Sequence, residues 1–331
     1  MILVTGGAGY IGSHCILALI ENGYDVHIFD NLSTGHIETV ETLKQCGNVN
    51  FTKGDLKNNT DVQNLFKKNQ FDAVMHFAAF SQVGESVTNP KKYYENNVGG
   101  TLNLLNAMVT NSCKNIVFSS TAAVYGNAEY IPIDEKHPKI PLNPYGKTKL
   151  MIENILDDYD KAYGLKSVRL RYFNASGADR KLRCGEWHNP ETHLIPNILK
   201  SVFQQAKPFT LFGDDYDTKD GTCIRDYIDV QDLANAHILA LKYLQNDGKT
   251  DFFNLGTEFG YSVKEVFELC EKITGQKFPL KIEGRRAGDP AKLIADNKKA
   301  RQILNWIPEH TLDESIENAY NWISANKRIQ Q

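Results

Sequence analysis

Residues 2–14 read Ile2-Leu3-Val4-Thr5-Gly6-Gly7-Ala8-Gly9-Tyr10-Ile11-Gly12-Ser13-His14, and their reading decides the fold. Ile2-Leu3-Val4 has the apolar character of a buried strand. A cluster of glycines follows, then a helical pattern from Ile11 to Glu21 that Gly23 brings to an end. Glycines at 7, 9 and 12, and equally at 6, 9 and 12, match the dinucleotide fingerprint in the place where it carries weight, between strand and helix. Glycine there makes the tight turn, lets backbone approach a pyrophosphate, and lets the helix pack on the strand. The helix N-terminus adds unpaired N–H groups and the positive end of its dipole.

The next apolar run, Val26-His27-Ile28-Phe29, ends in Asp30, roughly 20 residues beyond the glycines, where a carboxylate accepts hydrogen bonds from an adenosine ribose. The same charge repels a 2′-phosphate, so the expected cofactor is NAD and not NADP. Asp55, after the run Val49-Asn50-Phe51, is placed to meet the adenine amino group or, alternatively, to cap a helix. Phe77-Ala78-Ala79 closes the run Ala73-Val74-Met75-His76-Phe77 with small residues, as close backbone approach to a cofactor requires.

Working outward, apolar runs continue at Asn115–Phe118 and Ser167–Leu170. Helical patterns separate them at Asp61–Lys68, from Pro90 to about Val109, and at Tyr145–Tyr163. Strands alternating with helices imply an α/β fold, a doubly wound parallel sheet of the Rossmann type. The rhythm breaks after Asn174, where proline, glycine and charge become frequent. Residues 1–174 are therefore read as the NAD-binding domain and 175–331 as a smaller, substrate-binding region. The strand-like segments Asp226–Val230 and Asp251–Leu255 are free to join either part.

The 331 residues are 41% hydrophobic and 23% charged, with a formal net charge of −3. That is enough apolar material for a core and argues against disorder. No block of lysine and arginine calls for nucleic acid or an anionic membrane. No run is long enough to cross a bilayer, and the N-terminus lacks the pattern of a signal peptide. The six cysteines are scattered without a Cys-x-x-Cys pair, which fits free thiols in a reducing cytoplasm. His188 and His193 are near in sequence, but spacing alone does not make a metal site of them, and none is expected.

Tyr145-Gly146-Lys147-Thr148-Lys149 holds Tyr-x-x-x-Lys. On a helix, residues four apart share a face, which brings the Lys149 ammonium toward the Tyr145 phenol. A tyrosine ionises near pH 10, and the neighbouring ammonium and a nicotinamide cation both favour its phenolate, making Tyr145 a base for a sugar hydroxyl. Ser119-Ser120-Thr121-Ala122-Ala123 follows the fifth strand, at the carboxyl edge where such sheets bind ligands. Thr121 is the expected substrate-orienting hydroxyl and Ser120 the second choice, with stabilisation of the turn as the alternative role for Ser120.

These motifs together resemble the extended short-chain dehydrogenase/reductase family, and within it the UDP-hexose 4-epimerases. Phe29-Asp30-Asn31-Leu32-Ser33, Val83-Gly84-Glu85-Ser86-Val87, Tyr93 to Gly100, Arg171-Tyr172-Phe173-Asn174, Gly221 to Val230 and Arg285-Arg286-Ala287-Gly288-Asp289 extend the resemblance over nearly the whole chain. The resemblance implies reversible epimerisation at C4 of UDP-glucose and UDP-galactose, through a transient 4-keto sugar and a resident NAD, in galactose metabolism. Tyr145 would be the base, Lys149 would lower its pKa and hold ribose hydroxyls, and Thr121 would bond the reacting oxygen. Family members commonly carry serine at that position.

The resemblance further implies that Gly6, Gly9, Tyr10, Ile11, Gly12, Asp30, Asn31, Leu32, Ser33, Thr34, Gly35, Asp55, Leu56, Phe77, Ala78, Ala79, Phe80, Ser81, Asn96 and Phe173 contact NAD, with Tyr145 and Lys149. Asn174, Leu194, Phe212, Arg225, Arg286 and Asp289 would hold the uridine diphosphate; arginine suits this because its planar fork grips phosphate twice. Leu293 falls where the family sets the room around the sugar C2 substituent, and its medium size would admit N-acetylated sugars. Related 4,6-dehydratases place Asp-Glu after the active-site threonine; Ala122 and Ala123 here cannot move protons, which argues against dehydration. A homodimer through the helices around Tyr93–Val109 and Tyr145–Tyr163 is the implied assembly. An oxidoreductase that exchanges its NAD each turnover, or a non-catalytic NAD-binding protein, are the alternatives on this scaffold.

Overall fold

The computed structural model describes residues 1–203, 208–285 and 290–326. In chain order the strands are β1 (Ile2–Thr5), β2 (Val26–Asp30), β3 (Val49–Lys53), β4 (Ala73–His76), β5 (Asn115–Ser119), β6 (Lys166–Tyr172), β7 (Asn174–Ser176), β8 (Phe209–Phe212), β9 (Ile224–Asp229), β10 (Asp251–Leu255), β11 (Gly260–Ser262), β12 (Leu280–Glu283) and β13 (Lys292–Leu293). The helices are α1 (Tyr10–Glu21), α2 (Ile37–Cys46), α3 (Asn59–Lys68), α4 (Val83–Thr88), α5 (Pro90–Tyr93), α6 (Gly100–Thr110), α7 (Pro144–Tyr163), α8 (Leu194–Lys200), α9 (Val230–Gln245), α10 (Val263–Thr274), α11 (Lys298–Leu304) and α12 (Leu312–Ala325).

Seven strands form one parallel sheet in the order β10-β6-β5-β4-β1-β2-β3. The order reverses direction between β1 and β4, and such a switch point leaves a crevice at the strands' carboxyl ends. Helices cover both faces, as the unbroken apolar runs require. Successive strand side chains point to opposite faces: Ile2 and Val4 pack into one core with Ile16, Leu19 and Leu233, and Leu3 packs into the other with Leu104, Leu105 and Ile152. The doubly wound α/β fold expected from the sequence is the fold observed.

The two segments whose membership the sequence leaves open go separate ways. β10 pairs in parallel with β6 at the edge of the large sheet, Phe253 opposite Leu170. β9 instead lies in a small sheet with β7, β11 and β13. A further parallel pair joins β8 to β12. Beneath these, α8, α10 and α12 bury Ile195, Ile198, Val266, Phe267, Ile316 and Ile323 in a separate core.

The helix expected from Pro90 to Val109 is interrupted. Between α5 and α6, Tyr94–Gly99 winds as a π-helix. The hydrophobic period cannot register one extra residue per turn, so the interruption is silent in sequence, although such bulges gather at functional sites.

Candidate active site

The glycine turn has the geometry of a dinucleotide cradle. Gly6 sits at φ +73°, and a Cβ on it would lie 2.5 Å from the Ala78 nitrogen. A Cβ on Gly12 would lie 2.4 Å from the Gly6 oxygen. Both positions admit only glycine without local movement. Gly9 is the N-cap of α1, and no side chain bonds the first-turn N–H groups and no acid stands among them. That leaves the helix terminus fit for a diphosphate. Phe77 and Ala78 donate their N–H groups to the Thr5 carbonyl at 2.9 and 3.1 Å, which places the end of β4 against the turn.

Asp30 closes β2 beside the cradle. Its two oxygens accept the N–H groups of Ala8, at 3.1 Å, and Leu32, at 2.8 Å. Burial raises its pKa against those two bonds. Leu32 takes φ +60°, and the chain then folds back so that His36 donates to the Ala8 carbonyl at 3.2 Å. Gly35 lies so close to Ala8 that a Cβ would meet it at 2.8 Å. Residues Asn31, Ser33 and Thr34 thus pass over one side of the cradle. Asp55 accepts from Asn31 Nδ2 at 3.2 Å and from the Lys57 N–H at 2.8 Å. It does not cap α3, which Asn58 does through the Thr60 N–H, so the helix-cap alternative for Asp55 falls away.

Across the crevice stands α7. Asn143 caps it, accepting the Gly146 N–H at 2.9 Å, and Pro144 takes the first helical position. Tyr145 is therefore held in the first turn, 8% exposed, and Lys149, 3% exposed, one turn on. Gly146 lets α7 come close to the loop after β5; a Cβ there would lie 2.6 Å from the Ala123 oxygen. That loop carries Thr121, which caps a 3-10 turn through the Ala123 N–H at 3.1 Å and stands close enough to the Tyr145 phenol to favour its ionised form. Tyr145, Thr121 and Lys149 are brought together as the sequence requires.

Their electrostatics differ from the expectation. Burial pushes the Tyr145 phenol up to about 12, and the Thr121 hydroxyl nearby only partly offsets this. Burial pushes the Lys149 ammonium down to about 7, opposed by Glu153. Lys149 Nζ donates to the Ser119 carbonyl at 2.7 Å and lies 6.0 Å from the centre of the Tyr145 ring. The expectation is of an ammonium and a nicotinamide cation acting together on the phenol; in the protein alone, burial dominates.

Behind these residues lies a polar network that the sequence does not reveal. Ser120 donates to Glu153 at 2.6 Å, so its hydroxyl is committed away from the crevice. Glu153 is gripped by Arg171 through two nitrogens at 2.9 and 2.5 Å. Arg171 also donates to Tyr125, and Tyr125 to Asn254. Asn97, on the π-helical segment, binds both backbone groups of Phe80 and the Thr148 hydroxyl on α7. Asn96 donates to Asn97 at 3.0 Å. The only sequence signal for Asn97 is its place within the Tyr93–Gly100 motif.

The expected diphosphate residues come from the second region. Asn174 opens β7 and is exposed, Leu194 opens α8, and Phe212 ends β8. Arg225 and Leu293 are parallel partners on β9 and β13. Arg286 and Asp289 lie outside the described residues. Phe173, 9% exposed, follows β6. The two regions touch where the Tyr10 hydroxyl donates to the Gly177 carbonyl at 2.8 Å and where His36 stacks on Trp187, ring centres 3.6 Å apart. Next to this contact Glu186, His188, Glu191 and His193 gather into one cluster, and contacts with the acids outweigh the effect of burial and hold His188 at about 9.

A family model described as GDP-mannose 4,6 dehydratase matches residues 3–319. The UDP-glucose 4-epimerase of Halalkalibacterium halodurans is 52% identical over 97% of this chain and 95% of its own. The crystal structure of a UDP-glucose 4-epimerase from Brucella ovis in complex with NAD is 44% identical, with a TM-score of 0.91, covering 97% of this chain and 98% of that one. The UDP-Glc/GlcNAc 4-epimerase of Campylobacter jejuni is 40% identical, with a TM-score of 0.85, covering 98% and 99% of the two chains.

Proposed function

Because the chain belongs to the UDP-glucose 4-epimerase family of extended short-chain dehydrogenases/reductases, we propose that it interconverts UDP-glucose and UDP-galactose by inverting C4, with NAD as resident cofactor. The observation that carries this reading is the meeting of Tyr145, Thr121 and Lys149 beside a cradle of glycine and Asp30 that fits a dinucleotide. NAD held by the glycine turn and Asp30 would supply the hydride acceptor and donor that no side chain here provides. Thr121 holds the C4 oxygen in reach of Tyr145. Tyr145 takes the hydroxyl proton as the 4-keto sugar forms and returns it when the sugar is reduced. Lys149, fixed by the Ser119 carbonyl, holds ribose hydroxyls and supplies positive charge to the base when protonated. Ala122 and Ala123 give no acid and no base for loss of water, which separates this site from the dehydratase named by the family model.

In the same reading Gly6, Gly9, Tyr10, Ile11, Gly12, the 30–35 segment, Asp55, Leu56, Phe77 to Ser81, Asn96 and Phe173 surround NAD. Asn174, Leu194, Phe212, Arg225, Arg286 and Asp289 hold the uridine diphosphate, so residues 1–174 serve mainly the cofactor and 175–331 mainly the substrate. The N-acetylated pair, UDP-N-acetylglucosamine and UDP-N-acetylgalactosamine, are further substrates. Leu293 leaves room at C2, and the Campylobacter jejuni relative carries Glc and GlcNAc in its name. The protein works in the cytoplasm, in galactose metabolism, which suits its six free cysteines. It does so as a homodimer; Met151 and Tyr163 on α7, 43% and 53% exposed, are apolar surface for such a contact.

The test is purified protein given UDP-galactose without added nucleotide, with UDP-glucose followed by a coupled assay. Conversion without added NAD, and NAD recovered from the denatured protein, are expected. Absence of conversion from protein that retains NAD would refute the reading.

A further inference from the structure

The geometry points to a binding site for one divalent metal ion of the zinc type on Glu186, His188, Glu191 and His193, fixing the 185–193 loop against the dinucleotide cradle. The four residues each offer one ligand atom, and these atoms all lie within 4.8 Å of one another. His193 Nδ1 is 2.8 Å from Glu186 Oε1 and 2.9 Å from Glu191 Oε1. His188 Nδ1 is 3.2 Å from Glu186 Oε1 and 3.7 Å from Glu191 Oε2. Two imidazole nitrogens and two carboxylate oxygens are a set that zinc accepts, at bond lengths of about 2.1 Å and therefore tetrahedral ligand separations of roughly 3.4 Å. The measured separations bracket that value.

A second observation concerns how poorly the group is satisfied. Two of its buried atoms, His188 Nδ1 and Glu191 Oε2, form an ion pair at 3.7 Å, and His188 Nδ1 pairs with Glu186 at 3.2 Å, but neither atom makes a well-formed hydrogen bond. The Glu191 side chain is only 4% exposed. Buried polar atoms are normally satisfied, and an orphan in a native fold calls for a cause such as an ion. Buried carboxylates are likewise paired or engaged with a metal. Metal binding would displace the ring protons that the acids now hold on the histidines, leaving two carboxylate charges for one divalent ion to balance.

The surroundings give the ion a structural task. The Tyr10 ring, in the first turn of α1, meets His188 edge-on at 6.4 Å. Trp322 of α12 donates to the Glu186 carbonyl at 3.3 Å. Trp187, between two of the ligands, stacks on His36. His193 immediately precedes α8. An ion here would tie the cofactor turn, α8 and α12 to one point. The two histidines alone gave no reason to expect this. The pattern Glu-x-His-x-x-Glu-x-His is what spacing could have shown, but only the fold brings all four together. Nothing in this inference depends on the C4 chemistry.

The experiment uses the whole NAD-containing protein, stripped with a chelator, dialysed, and titrated with zinc chloride by calorimetry, with bound zinc counted by elemental analysis. One zinc per chain is expected, and at a hundredfold excess over the dissociation constant the melting temperature should rise by about 4 °C. Cobalt in its place should give the visible bands of a four-coordinate ion. His188→Gln with Glu191→Gln should weaken zinc binding at least about 100-fold, the ligands being the source of the affinity. His193→Asn alone, a milder change, should weaken it at least about tenfold. Far-UV circular dichroism and retained NAD confirm that each variant is folded. Failure to bind stoichiometric zinc overturns the inference, and so does zinc binding that persists unchanged in the folded variants.

Discussion

Tyr145 is where the chemistry rests on a single atom, and its surroundings make a specific demand. A phenol held at about 12 by burial is a poor base until positive charge comes beside it. Tyr145→Phe removes the proton carrier without touching the glycine cradle. Turnover should fall roughly 10²–10⁴-fold, the range for loss of a general base, with NAD still recovered from the denatured variant. Loss of NAD in the same variant would move the role of Tyr145 from catalysis to cofactor binding. His237 offers a pH-dependent check of the fold beneath the site. Burial lowers it from 6.5 to about 4, against its bond to the Leu233 carbonyl, so the folded chain keeps it neutral while the unfolded chain takes up a proton. Its contribution therefore costs nothing above pH 6.5 and destabilises progressively as the pH falls toward 4. His237→Gln should lose less stability than the parent between pH 6.5 and 5.0, by about 2 kcal/mol in urea unfolding. An unchanged difference would show that His237 does not titrate in this way. Tyr145, Lys149 and Thr121 were legible because a helical period and a strand end place them. Ser120, Glu153 and Asn97 were not, because their roles depend on partners at long range in the chain.

At the scale of elements, the position of α7 decides whether Tyr145 and Thr121 meet. Gly146 allows that contact by giving room to the Ala123 carbonyl. Gly146→Ala puts a methyl 2.6 Å from a backbone oxygen, so the helix or the loop must move. A stability loss of about 1–3 kcal/mol is expected, together with a fall in kcat larger than any change in NAD content. The opposite pattern, normal kcat in a destabilised protein, would separate the packing from the chemistry. Further along α7, Glu153 joins the helix to β6 through Arg171 and to the end of β5 through Ser120. Both partners of the ion pair are essentially inaccessible, at 0% and 1%. Glu153→Gln leaves a buried guanidinium without its counter-charge and should cost about 3–5 kcal/mol, read as a lower urea midpoint. The boundaries of α1, α3 and α7 could be approximated from caps and period. The π-helical segment could not, because apolar spacing across Pro90–Val109 looks the same with or without the extra residues. Yet this segment delivers Asn97 to Phe80 and Thr148, linking the β4 side of the crevice to α7.

The whole molecule is a parallel sheet with the glycine turn at its carboxyl edge, joined to a second core built by α8, α10 and α12. The alternation of strands and helices made the large sheet readable to Leu170. Past Asn174 the same short apolar runs serve both bodies. Asp251–Leu255 and Asp226–Val230 look alike in sequence, and only the path of the chain through α9 separates them. The glycine turn first reads as a dock for a diffusing coenzyme. Contacts such as Tyr10 with Gly177, and His36 with Trp187, close the second region over it and suit an NAD that stays. The central claim is that hydride leaves and re-enters C4 within one bound complex. UDP-galactose carrying deuterium at C4 tests it most directly, incubated with the purified protein in ordinary water and no added nucleotide. The account predicts UDP-glucose with the deuterium still on C4 and no net NADH. Deuterium lost to water, or NADH accumulating in proportion to sugar consumed, would contradict it.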